Sequence, residues 1–278
     1  MPPLLDARGL HLALPDRTRK PLLGGAPLLP ILRDVSLSVG RGESVGLVGE
    51  SGSGKSTLGR TLLRLHRPQS GSITFDGQDI TALPEQALRP LRPRLQMVFQ
   101  DSQAALNPCR TVAQSLALPL VVQGLAQGPA LRQRVAALLD QVQLPAAFLD
   151  RYPHQLSGGQ RQRVGIARAL ALAPDFLLAD EVVSGLDVSV QVQILDLLRE
   201  LRRENHLALL FISHDLSVVR ALCDRVVVMR HGAVVEAGDC ATLFAAPQHP
   251  YTRALLRAIP LPVVDPHWLD QPAPEAEP

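Results

Sequence analysis

Apolar residues recur at two different periods along the 278-residue chain, and the switches between them mark its organisation. Ile31 to Val39 alternates apolar and polar positions, Gly40-Arg41-Gly42-Glu43 makes a turn, and Ser44-Val45-Gly46-Leu47-Val48 is a short, nearly unbroken apolar run. The alternation predicts a half-buried strand, and the run predicts a strand covered on both faces. From Ser56 the spacing turns helical through Thr57-Leu58-Gly59-Arg60-Thr61-Leu62-Leu63-Arg64-Leu65. Gln69 to Gly71 is turn-like, Ser72-Ile73-Thr74-Phe75 alternates as a strand, Asp76-Gly77 predicts a hairpin turn, and Leu95 to Phe99 predicts a further strand.

Between Asp101 and Leu170 the chain is rich in Ala, Leu and Gln at helical spacing, as in Leu131 to Val142. This predicts a helical subdomain of about residues 101–170 inserted into an α/β core. Three apolar runs follow, Asp175 to Asp180, Leu207 to Ile212 and Arg225 to Met229, separated by helical or turn segments as in a mainly parallel sheet. The expected architecture is therefore α/β, a mainly parallel core with an antiparallel β portion and an inserted α-helical subdomain, in one domain over residues 1–261. The proline-rich stretch 262–278, with Gln271-Pro272-Ala273-Pro274-Glu275, reads as an extended or disordered tail.

Bulk properties narrow the partners. The net charge is only +2 with Lys and Arg scattered, so no basic field points to nucleic acid. Hydrophobic residues make up 46% of the chain, yet no unbroken apolar run approaches the roughly 20 residues that cross a bilayer. Met1-Pro2-Pro3-Leu4-Leu5-Asp6 lacks the basic and apolar regions of a secretory signal, which makes the cytoplasm the expected compartment. Cys109, Cys223 and Cys240 are far apart and form no C-x-x-C pair, so they read as buried or idle thiols.

Gly49-Glu50-Ser51-Gly52-Ser53-Gly54-Lys55-Ser56 fits G-x-x-x-x-G-K-[ST] between a predicted strand and a predicted helix that continues at Thr57. In such a loop backbone N–H groups turn inward around phosphates, the lysine reaches the β and γ phosphates and the serine ligates magnesium. By itself the loop leaves kinases, GTPases and helicases open. Phe176-Leu177-Leu178-Ala179-Asp180-Glu181 ends an apolar strand in two carboxylates. Asp180 suits support of a magnesium shell, and Glu181 suits polarisation of an attacking water. A plain exposed acidic strand end is the alternative. His214, in Phe211-Ile212-Ser213-His214-Asp215, should emerge at the same carboxyl edge of the sheet, where open α/β folds bind ligands. A histidine at a strand end is by itself more often structural, and the other seven read as surface or packing residues. Ser157 suits an N-cap for a helix opening at Gly158-Gly159-Gln160, whose free N–H groups and dipole favour an anion.

Taken with the phosphate loop, Leu156-Ser157-Gly158-Gly159-Gln160 resembles the signature of ABC-type ATPases, and the resemblance covers Leu32 to Pro260. It implies a P-loop NTPase (RecA-like) fold that hydrolyses ATP with Mg2+, and a signature that serves the γ-phosphate of the nucleotide held by a facing subunit. It further implies that His214 is the switch histidine contacting the γ-phosphate. Gln100 becomes the Q-loop glutamine reaching magnesium and the attacking water, and Ser184-Gly185-Leu186-Asp187 becomes the D-loop. Val98-Phe99-Gln100-Asp101-Ser102, Leu106-Asn107-Pro108 and Gln248-His249-Pro250-Tyr251-Thr252-Arg253-Ala254-Leu255-Leu256 resemble the dipeptide, oligopeptide and nickel importer branch. The implied partners are a second ATPase subunit, identical or homologous, two transmembrane permease subunits and an extracytoplasmic substrate-binding protein. The implied location is peripheral, at the cytoplasmic face of the inner membrane. A soluble ABC ATPase uncoupled from transport, and a regulatory module without hydrolysis, are the rival readings.

Two departures from the family pattern stand out. Val182-Val183 replaces the usual Pro-Thr after the glutamate, a variation similar to that in nickel-importer subunits. Residues 1–40 hold no Phe, Tyr or Trp to stack on adenine, and Leu14 occupies that place. Weaker ATP affinity and looser base choice are therefore expected. The segment Arg17 to Pro30 reads equally as an ordered apolar insertion or a flexible loop, and no histidine reads as a nickel ligand.

Overall fold

The structure is a computed structural model, and it describes residues 2–16 and 26–258. Strands β1 (Leu5–Pro15) and β2 (Leu28–Val39) pair antiparallel, and β3 (Ser44–Val48) leads through the glycine-rich loop into α1 (Lys55–Leu62). β4 (Ser70–Phe75), β5 (Gln78–Asp79) and the single turn α2 (Glu85–Leu88) precede β6 (Leu95–Val98). Helices α3 (Ser102–Ala105), α4 (Val112–Val122), α5 (Gly128–Gln141) and α6 (Gly158–Leu170) follow without an intervening strand. The chain then alternates β7 (Phe176–Asp180), α7 (Val188–Asn205), β8 (Ala208–Ile212), α8 (Leu216–Leu222) and β9 (Arg225–Arg230). It ends with β10 (Ala233–Asp239), α9 (Cys240–Ala245) and α10 (Pro250–Arg257).

Two sheets result. One has the order β2-β1-β4-β5 and is antiparallel; the other has the order β10-β9-β3-β8-β7-β6 and is parallel except for β10 at its edge. The central strands are buried on both faces, and their side chains divide by parity. Leu177, Ala179, Leu209 and Phe211 enter the core shared with α4 to α8. Phe176, Leu178, Leu210 and Ile212 enter the core shared with α1 and the antiparallel sheet. A period-two backbone between two apolar layers accounts for the unbroken apolar runs of the sequence. Between β4 and β5, Asp76 and Gly77 both have positive φ, 52° and 78°, the geometry of a two-residue type I′ hairpin.

Two strands, β1 and β10, carry no regular alternation in the sequence. In β1 the register shifts between Arg8 and His11, where Gly9 has φ 58°, so a bulge interrupts the alternation that would mark the strand. The edge strand β10 is only partly buried and shifts register between Val234 and Glu236. Of the segment 17–30, residues 28–30 extend β2 with Leu28 and Leu29 half exposed or more, while residues 17–25 lie outside the described residues. The predicted tail 262–278 also lies outside them.

Candidate active site

The parallel register brings four strand ends to one edge. Leu47 aligns with Ile212, Ile212 with Asp180, and Ala179 with Val98, so the segments after β3, β8, β7 and β6 emerge side by side. They carry Gly49, His214, Glu181 and Gln100 respectively.

The glycine-rich loop from Gly49 to Gly54 is held closely against the sheet. Gly49 has φ 146°, and a Cβ there would stand 2.1 Å from the Met229 carbonyl oxygen, so no side chain fits. Gly54 occupies the left-handed region at φ 101° and turns the chain into α1. The Lys55 Nζ donates to the carbonyl oxygens of Gly49 at 2.7 Å and Glu50 at 2.8 Å. Burial pushes the Lys55 ammonium below its ordinary pKa, against the pull of the Glu181, Asp180 and Glu50 carboxylates. The Ser53 hydroxyl is buried without a hydrogen-bond partner among the described residues. An anionic ligand would find here a desolvated cation and an unsatisfied hydroxyl. Ser51 and Gly52 lie exposed at the loop tip, and Thr57 is half buried in the first turn of α1.

Asp180 closes β7 and is 1% exposed. The Ser56 hydroxyl donates to its Oδ1 at 2.9 Å. Burial raises the Asp180 carboxyl above its ordinary range, and the Glu181 charge adds to this; the Ser56 bond and the nearby Arg60 and Lys55 cations act against it. A hydroxyl and a carboxylate oxygen already paired, with the carboxylate's charge poorly compensated, fit a hard divalent cation that takes oxygen ligands.

Glu181 follows directly with φ 49°, a left-handed conformation uncommon outside glycine. Its N–H donates to the Ile212 carbonyl at 3.0 Å, which ties the turn to the end of β8. Its Oε2 is the meeting point of three segments. The Gln100 Nε2 donates to it at 2.8 Å, and the His214 Nδ1 lies 3.8 Å away. Asp215 N-caps α8 by accepting from the Ser217 N–H at 2.8 Å, which fixes the backbone just beyond His214 and leaves that imidazole largely exposed.

Ser157 is the N-cap of α6, as its residue type suggested. Its Oγ accepts from the Gln160 N–H at 3.3 Å, while the Gln160 Oε1 accepts from the Ser157 N–H at 2.9 Å, a complete capping box. Gly158 opens the helix, and a Cβ on Gly159 would stand 2.3 Å from Val190 Cγ1, so the α6 backbone packs directly on a side chain at the start of α7. Within one chain, then, the structure joins Gln100, Glu181 and His214 around one oxygen, and Ser56, Asp180 and Lys55 beneath the loop. The Ser157–Gln160 segment forms a separate, capped helix start. Tyr251 belongs to the segment that resembles the importer branch. Its hydroxyl accepts from the Glu50 N–H at 2.9 Å, inside the glycine-rich loop.

Comparison with known proteins gives concordant results. Residues 32–184 match the ABC transporter family, and residues 235–278 match the oligopeptide/dipeptide transporter C-terminal region. A Brucella ovis protein provisionally named a peptide import ATP-binding protein is 50% identical over 263 residues, covering 95% of this chain and 80% of that protein. The glutathione import ATP-binding protein GsiA of Salmonella typhi is 49% identical over 269 residues, covering 95% of this chain but 42% of that longer protein. Among solved structures, the dimeric ATP-binding cassette MJ0796 bound to ADP and Pi superposes with a TM-score of 0.75 at 30% identity, over 85% of this chain and 98% of that one. The cbiO1 protein of Clostridium perfringens, part of the ABC transporter complex cbiONQ, gives 0.76 at 29% identity, over 88% and 92%.

Proposed function

This chain belongs to the ABC transporter family, and on that premise we propose that it drives the uptake of short peptides by hydrolysing ATP between two facing ATPase subunits. It is the ATP-binding, ATP-hydrolysing subunit of an ABC importer. Peptide cargo is favoured over nickel because the relatives above are named for peptide and glutathione import. Family membership implies a second ATPase subunit and membrane permease partners. No helix among the described residues is long and apolar enough to cross a membrane. As the ATPase subunit of an importer, the chain would sit peripherally at the cytoplasmic face, with an extracytoplasmic protein delivering cargo.

The observation that carries the hydrolytic reading is the convergence on Glu181 Oε2. Glu181 would accept a proton from the attacking water while the Gln100 amide holds its carboxylate in place. The His214 imidazole, exposed beside it, would donate to a γ-phosphate oxygen. Lys55 and the loop N–H groups from Gly49 to Ser56, other than that of Glu50, which donates to Tyr251, would with Thr57 bind the phosphates, and the buried Lys55 charge gains most from an anionic partner. Ser56, Asp180 and Gln100 would hold magnesium, whose charge offsets that of the phosphates when bound. The capped start of α6 at Ser157, Gly158, Gly159 and Gln160 would close on the triphosphate seated in the opposite subunit.

A cavity of about 440 Å³ beside Gln100, lined by Arg60, Phe99, Asp101 and Arg168, offers a seat for a permease loop. Through Gln100 such a seat adjoins Glu181, so cargo-side movement and hydrolysis share one segment. Co-purification of the chain with integral membrane subunits, followed by ATP-dependent peptide uptake in reconstituted vesicles, tests the reading. Recovery with ribosomes or DNA in place of permeases would refute it.

A further inference from the structure

The segment His249-Pro250-Tyr251-Thr252 is tied into the glycine-rich loop by side-chain and backbone contacts that the hydrolytic machinery does not use. The Glu236 carboxylate of β10 accepts from the N–H groups of Gln248 at 2.8 Å and His249 at 3.1 Å. The His249 Nδ1 then caps α10 by accepting from the Tyr251 N–H at 3.1 Å. Tyr251 is 6% exposed, with the Arg230 guanidinium 5.0 Å from its ring centroid. So anchored, its hydroxyl accepts from the Glu50 N–H at 2.9 Å. A phenol is already neutral around pH 7, and burial lifts this one further above its ordinary pKa.

The consequence follows from the peptide plane. In a trans peptide the N–H and the preceding C=O point in opposite directions. Holding the Glu50 N–H on the α10 side therefore holds the Gly49 carbonyl on the other, where Lys55 Nζ donates to it at 2.7 Å. An ammonium has three donors, and the Gly49 and Glu50 carbonyls take two of them, which aims the third. At the far end of the loop the Gly232 N–H donates to the Ser53 carbonyl at 3.0 Å. Both ends of the cradle are thus pinned from the last part of the described chain.

We infer that Tyr251 is a positioning residue for nucleotide binding: through the Gly49–Glu50 peptide it orients Lys55 and couples α10 to the occupancy of the phosphate site. By reciprocity, ATP must tighten α10 by the same factor by which the hydroxyl tightens ATP. The inference rests on the phosphate-loop reading above.

The test is Tyr251→Phe in the full chain, which keeps the ring and removes the hydroxyl. ATP affinity should fall about fivefold, the worth of one neutral hydrogen bond. KM should rise by the same factor while kcat changes less than about twofold. Hydrogen exchange of the α10 amides should slow on adding ATP to the wild type and respond less in the variant. An ATP affinity within about twofold of wild type overturns the inference, as does a lowered Tm with KM unchanged, the mark of a purely structural role. Wild-type protein that bound no ATP would sink the phosphate-loop reading along with this one, whereas an unaffected Tyr251→Phe variant sinks this one alone.

Discussion

Glu181→Gln separates binding from hydrolysis with little disturbance of the fold. The replacement has the same volume, and its carbonyl oxygen can still accept from the Gln100 Nε2 that now lies 2.8 Å from Glu181 Oε2. A charge-assisted bond becomes a neutral one, a loss of about 1 kcal/mol at a side chain that is only 19% exposed. Relief from the like charge of Asp180 offsets part of that, since Glu181 raises the Asp180 pKa. Stability should therefore change little, and ATP affinity should stay within about threefold. Turnover should not survive: loss of a positioned base costs about a hundredfold to ten-thousandfold in rate, roughly 3 to 5 kcal/mol of barrier. The assay is phosphate release at saturating MgATP, paired with equilibrium ATP binding on the same preparation. Turnover within about tenfold of wild type, with binding intact, would refute the assignment of Glu181 as base.

Three further outcomes are expected. Lys55→Ala should weaken ATP binding by about a hundredfold or more in calorimetry, because a buried ammonium pointed at phosphates is lost; near-normal affinity would contradict its role. Leu14→Tyr should tighten ATP by about fivefold or more and raise the preference for ATP over GTP, given stacking worth roughly 1–3 kcal/mol; unchanged affinity would place the base elsewhere. Asp76→Asn should destabilise the fold near neutral pH. The bond from Arg94, at 2.6 Å, and the pairing with Arg41 hold the Asp76 carboxyl below its ordinary value. A depressed carboxyl stabilises above the unfolded value of about 3.9, and this is lost as pH falls through the native value. Urea melts should thus show a gap of at most about 1 kcal/mol that narrows below about pH 4, and a widening gap would refute it.

The parallel core was legible because strands buried on both faces leave nearly unbroken apolar runs, and Ser44 to Val48, Phe176 to Asp180 and Ala208 to Ile212 each appear at the expected place. β1 was not, since a bulge near Gly9 displaces its alternation, nor was β10, whose edge position leaves it partly exposed. Of the candidate site, the residues that the fold brings together at Gly49 to Ser56 and at Asp180-Glu181 were legible, because they follow one another in sequence at the ends of apolar strands. Non-local geometry was not: the contact between Tyr251 and Glu50 joins residues 201 positions apart, and only the folded backbone shows that the importer-branch segment touches the phosphate cradle.

The central claim is that two subunits share each ATP, one giving the lysine-bearing loop and the other the capped start of α6. Its most direct measurement is the structure of the assembly locked with MgATP by Glu181→Gln. The account predicts one triphosphate held between Lys55 of one subunit and the signature serine of the facing one, with Ser157 of this chain turned to the nucleotide opposite. An ATP-locked assembly in which Ser157 faces solvent, away from any phosphate, would contradict it.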